Sequence, residues 1–270
     1  MLTTTEELNR ALGREGIRVI DARSKVDHFL GHVPGAVQAG WWDFSDPNSE
    51  IKGLLDPDIG RLEAKIGALG ISNDHGVIVY SDAPEYWGAD GRIYWMLTYL
   101  GHPNVRVLDG GWPKWKGERR PIERGPVYPK PAVFRARPID HLLIRKDVVA
   151  AGILNGVPPF RLLDARSPGE YDGSQPEKDV PRGGHIPTAV NVPFDSFFRA
   201  DGSLMAPDEI RAIYESKGVR PGDEVVVYCT GGVRSSWLFL TLKRAGYHKV
   251  RNYIGSWWEW SRDHNLPAER

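Results

Sequence analysis

The chain of 270 residues has one cysteine, Cys229, which excludes an internal disulfide and any paired-cysteine metal motif. Any thiol chemistry must use that sulfur, and the expected compartment is a reducing one, the cytoplasm. Neither sign of charge is in excess: 35 Lys and Arg face 35 Asp and Glu, leaving no nucleic-acid footprint and no acidic tail. No apolar run reaches membrane-spanning length. The opening Met1-Leu2-Thr3-Thr4-Thr5-Glu6-Glu7 lacks the basic and apolar regions of a signal peptide. Histidines are not clustered at metal-ligand spacing, and Gly231-Gly232 is not a Walker loop, so neither metal nor cofactor is expected. These absences leave a small molecule as the expected partner, with no nucleic acid and no membrane.

What is present is a duplication. Val19-Ile20-Asp21-Ala22-Arg23-Ser24 returns as Leu162-Leu163-Asp164-Ala165-Arg166-Ser167, and Gly31-His32-Val33-Pro34 returns as Gly184-His185-Ile186-Pro187. Val77-Ile78-Val79-Tyr80-Ser81 matches Val225-Val226-Val227-Tyr228-Cys229, and Asp109-Gly110-Gly111-Trp112 echoes Ile254-Gly255-Ser256-Trp257. Blocks repeated in one order, too long and too few for a solenoid, indicate two copies of a domain. In each copy short apolar strands alternate with helical stretches, which predicts α/β domains with a mostly parallel sheet covered on both faces. Strands are expected at 19–21, 77–80 and 105–108, then at 162–164, 225–228 and 250–253. The proline-rich stretch holding Pro121, Pro126, Pro129, Pro131 and Pro138 reads as an extended, poorly hydrogen-bonded connector. The division is therefore 1–120, a linker at 121–138, and 139–270.

Cys229 falls where the strand 225–228 becomes a glycine-containing turn into a helix. Ligands of open α/β sheets collect at such carboxyl ends. A loop there can curl its amides around the sulfur, and the positive end of the following helix favours the thiolate. The competing reading is a small buried hydrophobe. Cys229 and Arg234 enclose four residues, one fewer than in phosphatases that form a phosphocysteine. The tighter ring crowds a tetrahedral phosphate but suits one added sulfur as a persulfide anion. At the matching place the first copy has Ser81, followed by a longer loop with acidic groups and Pro84. That copy is expected to be catalytically inactive and to shape the pocket.

Cys229-Thr230-Gly231-Gly232-Val233-Arg234-Ser235 resembles the active loop of the rhodaneses, the thiosulfate and mercaptopyruvate sulfurtransferases. With the Gly-His-Ile-Pro and Gly-Ser-Trp blocks, the resemblance spans both halves and implies two rhodanese-like domains, the second active. It implies a ping-pong cycle: Cys229 takes the outer sulfur of thiosulfate, sulfite leaves, and cyanide or a thiol accepts the sulfur. The amides of Thr230, Gly231, Gly232, Val233 and Ser235 would stabilise thiolate and persulfide. Partners are then a sulfur donor and a thiophilic acceptor, with an acceptor protein as a further class.

Arg182 carries a charge absent from the first copy and is expected to meet the donor's sulfonate or carboxylate. Arg234 either meets that oxyanion or turns to a carboxylate and holds the loop in shape. Trp112 stands where related enzymes place an aromatic at the pocket rim. The Asp-Ala-Arg units and His32 and His185, present in both copies, are expected to fix strand ends and loops. The charges of Arg182 and Arg234 favour thiosulfate over 3-mercaptopyruvate. Alternatives are a mercaptopyruvate enzyme, a persulfide carrier or sulfur-sensing partner, a phosphatase or arsenate reductase, and an inert binding module with Cys229 buried.

Overall fold

The short β-branched runs become the central strands of two parallel sheets. A computed structural model describes residues 1–270, apart from the side chain of Tyr86. Its contacts divide the chain into two compact units. Unit 1 comprises Met1–Ser45, Asp56–Ile139 and Phe198–Leu204; unit 2 comprises Asp46–Leu55, Asp140–Phe197 and Met205–Arg270. The repeated blocks thus separate cleanly, while a short loop of each copy is counted with the other copy's unit.

Among the described residues, unit 1 has strands β1 (Leu2–Thr3), β2 (Ile17–Asp21), β3 (Val37–Gln38), β4 (Gly76–Tyr80) and β5 (Val105–Leu108). They form one sheet in the order β1-β5-β4-β2-β3, with every pairing parallel. Unit 2 has β6 (Arg161–Asp164), β7 (Val190–Asn191), β8 (Val225–Tyr228) and β9 (Val250–Asn252), in the order β7-β6-β8-β9 and again parallel. The longer strands lie within a residue or two of the stretches read from apolar periodicity. The two-residue strands β1, β3 and β7 escape such a reading because two residues show no period.

Strand β8 is buried along its whole length, as a central strand covered on both faces must be. Ile144, Val149, Leu162, Val226, Trp257 and Trp260 share one core cluster in unit 2; Leu8, Val19, Ile78, Leu108 and Trp115 share one in unit 1. No described helix is long and apolar enough to cross a membrane.

The stretch 121–138 is extended but not loose. Ala132 N–H donates to Gly67 O at 2.9 Å, Arg137 N–H to Leu100 O at 2.8 Å, and Phe134 is buried. Proline removes amide donors without removing the carbonyls and remaining amides that tie this strap to unit 1.

Candidate active site

Asp164 and Arg166 close the end of β6. The guanidinium of Arg166 donates through Nη2 to Asp164 Oδ2 at 2.6 Å and to Gly184 O at 2.8 Å. Arg23 repeats this at the end of β2, reaching Asp21 Oδ2 at 2.6 Å and Gly31 O at 2.7 Å. His185 and His32 use Nδ1 on the carbonyls of Tyr171 and His28, at 3.0 Å and 2.8 Å. The same charges at the same strand ends in both units are scaffolding, satisfied by neighbours as buried charges must be.

Cys229 follows β8 directly, and Gly232 N–H donates to its Sγ at 3.1 Å. The surrounding carbonyls are tethered outward. Trp257 N–H donates to Cys229 O at 2.9 Å and Trp258 N–H to Thr230 O at 2.8 Å, while Ser236 Oγ donates to Gly232 O at 2.7 Å. A trans peptide holds its N–H antiparallel to its C=O. The amides of Thr230, Gly231 and Val233 therefore face away from these outward tethers. The helix Arg234–Arg244 begins at the end of the loop, so its positive end is turned to the loop.

Two side-chain systems hold the loop in this shape. Asn252 at the end of β9 accepts from Ser235 Oγ at 2.8 Å and donates to Ser236 Oγ at 3.0 Å. Ser256, in the left-handed region at φ 54°, accepts the Cys229 N–H at 3.1 Å and donates to Tyr253 O at 2.7 Å. On the other side Arg234 meets Glu170 through two hydrogen bonds, of 2.6 Å and 2.7 Å, and also donates to Thr230 Oγ1 at 2.6 Å. Burial pushes the Glu170 carboxyl upward, but Arg234, with help from Ser167, overrides this and holds it down at about 2.

The structure thus brings Cys229, Thr230, Gly231, Gly232, Val233, Arg234 and Ser235 together, and takes Arg234 inward to a carboxylate. Arg182 has other partners: it donates to Ser261 O at 3.1 Å, Trp260 O at 3.2 Å and Asp263 O at 2.9 Å. In these contacts it serves the end of the helix Ser256–Arg262, a favourable station for a cation. Trp112 lies in unit 1 with its ring 4.2 Å from the Arg23 guanidinium. Trp257 takes the same position over Arg166, at 4.8 Å, so the described contacts of Trp112 are packing that both units share.

Glu170 was not singled out from sequence. A signal existed, because Ser167-Pro168-Gly169-Glu170 is a capping box and the structure forms it; nothing local says that the same carboxylate also meets Arg234. Cys229 itself is 1 % exposed. Burial to that extent matches an inert cysteine, but the surroundings do not, since the sulfur accepts an amide hydrogen in a loop closed by a buried ion pair. Among the described residues no group of three or more His, Cys, Asp or Glu is placed to hold a metal ion.

A family model described as the rhodanese-like domain matches residues 4–118 and again 149–263. The chain is 34% identical over 283 residues to the sulfur carrier protein TtuD of Thermus thermophilus, spanning 100% of this chain and 96% of the relative. It is 34% identical over 266 residues to the thiosulfate sulfurtransferase of Bos taurus, spanning 94% and 87%. The crystal structure of SseA from Escherichia coli, described as a 3-mercaptopyruvate sulfotransferase, superposes with a TM-score of 0.82 at 29% identity, covering 95% of this chain and 98% of that one. The chain, with two copies of the domain, belongs to the rhodanese family of sulfurtransferases.

Proposed function

We propose that the protein transfers a sulfane sulfur from thiosulfate to cyanide or a thiol through a persulfide on Cys229. The reading is carried by the Gly232 N–H donated to Sγ at 3.1 Å, at the head of a loop whose carbonyls are drawn outward. The Cys229 thiolate attacks the outer sulfur of thiosulfate; the sulfur–sulfur bond of the donor breaks and sulfite leaves with its electron pair. The persulfide anion takes the amide hydrogen bonds, worth most where water is excluded. The acceptor then attacks the outer sulfur, carries it off as thiocyanate or a new persulfide, and restores the thiolate. The thiol must be reduced to begin each cycle, which suits the cytoplasm.

Unit 1 is proposed to be catalytically silent. Ser81 replaces the cysteine, Ala89 opens the helix Ala89–Tyr99 where Arg234 opens its counterpart, and Ser81 N–H donates to Asp90 Oδ2 at 3.1 Å.

A persulfide carrier is the second reading, and the engagement of both arginines favours it. Arg234 is matched by Glu170, and Arg182 donates three hydrogen bonds to carbonyls, engagements that compete with a small anionic donor. Mass spectrometry after thiosulfate treatment tests the shared step: one added sulfur on Cys229, absent from Cys229→Ser, is expected. Steady-state turnover then separates the readings. Preference for thiosulfate supports the first, preference for 3-mercaptopyruvate overturns that donor, and persulfide formation from a protein donor without small-molecule turnover supports the carrier.

A further inference from the structure

The segment Asp46–Leu55 belongs to the same compact unit as Cys229, although it comes from the first copy in sequence. Within it Gly53 lies against the sulfur-bearing loop. A methyl group on Gly53 would come within 2.5 Å of Gly231 O, 2.8 Å of Gly231 C and 2.5 Å of Ile254 O. These are backbone atoms with no rotamer to change, so the added carbon would have to move them. On another side of Gly231 stands Trp258: a methyl on Gly231 would meet its ring at 2.2 Å. Gly231 therefore has a bare backbone against its carbonyl and an indole against its Cα.

The peptide joining Gly231 to Gly232 carries the hydrogen bond to sulfur. Gly231 contributes its carbonyl and Gly232 contributes the N–H that donates to Cys229 Sγ. The unit is planar and rigid about its C–N bond. Displacing the oxygen tilts the plane and turns the N–H by the same angle, and hydrogen bonds weaken steeply once misaligned. Ile254 O, the second atom against Gly53, lies two residues before Ser256, whose hydroxyl accepts the Cys229 N–H.

We propose that Gly53 is a positioning residue for the sulfur chemistry. Its missing side chain lets the 46–55 backbone press on the Gly231 carbonyl and so aims the Gly232 N–H at Sγ. This deepens the reading of Cys229 as the reacting thiolate and rests on it. Gly53→Ala is expected to slow persulfide formation from thiosulfate by roughly ten- to a hundred-fold, a partial loss of one such donor. It is also expected to move the pH profile of Cys229 alkylation by iodoacetamide to higher pH. Gly222→Ala, in the same unit with nothing within 4 Å of the added carbon, leaves both unchanged.

An unmoved alkylation profile in Gly53→Ala overturns the proposal, whether or not its melting temperature falls, because a merely structural glycine would cost stability without redirecting the amide. Should Gly53→Ala not fold, Leu54→Ala loosens the segment without adding an atom. A shift of its profile in the same direction supports the proposal, and an unmoved one overturns it. Failure of the wild-type protein to take up sulfur refutes the functional reading instead, since alkylation is measured on the thiol alone.

Discussion

Glu170 and Arg234 form a buried two-hydrogen-bond ion pair, at 2.6 Å and 2.7 Å, that joins the capping box after β6 to the end of the cysteine loop. Their side chains are 8 % and 7 % exposed. Thr230 completes the triangle, donating to Glu170 Oε1 at 3.1 Å. A residue far from the cysteine in sequence thus holds the turn that carries it.

Removing one partner leaves the other charge buried and unpaired. Glu170→Ala should cost about 3–5 kcal/mol of stability and abolish sulfur transfer. The pair also confers acid sensitivity. The Glu170 carboxyl is held at about 2 against an ordinary 4.5, so its contribution is complete above the ordinary value and disappears as the pH falls toward the folded one. Urea unfolding followed from about pH 6 down to about pH 3 should show a steeper loss in the wild-type protein than in Glu170→Gln.

Asp82 in unit 1 has the opposite sign. Burial, opposed by Arg23 and reinforced by Asp21, Asp27 and Asp90, pushes its carboxyl up to about 6. The folded state then holds the proton more tightly than the unfolded chain, so stability declines as the pH rises from the ordinary aspartate value through the folded one. Asp82→Asn should raise the unfolding free energy measured with urea near neutral pH, by on the order of 1–2 kcal/mol after solvent screening. In acid, where Asp82 is already protonated, the two proteins should unfold alike.

Asn252 bonds both serines that open the helix Arg234–Arg244. Asn252→Ala leaves Ser235 Oγ without its buried acceptor and frees Ser236 from its donor, at a cost of about 1–3 kcal/mol. Calorimetry should show a lower melting temperature, and stopped-flow measurement a slower reaction with thiosulfate.

Ser81→Cys in a Cys229→Ser background tests the silence of unit 1. The new thiol would sit beside Asp82 and Asp90, with Ser81 Oγ in a fully buried position, and Pro84 withholds an amide from the loop. No persulfide is expected by mass spectrometry; an added sulfur at that position would show that the longer loop also activates a thiol.

Much of this was readable in order along the chain. Val225-Val226-Val227-Tyr228 had to be a buried strand, because four apolar residues bounded by Asp223-Glu224 and a glycine turn can do little else. Cys229 at its end points to the place of the candidate site, and the repeat of Asp-Ala-Arg at Asp21 and Asp164 to the scaffold role of those charges. Arg182 is where the geometry adds most to local reading. A charge present in one copy only reads as a ligand for the donor, and its guanidinium also has the carbonyls of Trp260, Ser261 and Asp263 as partners.

The duplicated strands, the lone sulfur and the length of its loop follow from the sequence, since period, composition and spacing are local properties of a chain. Which cation faces the sulfur loop, which carboxylate neutralises it, and that Gly53 lies against Gly231 were decided by tertiary structure. Those contacts join residues far apart in sequence, where only packing of backbone against backbone selects the partner.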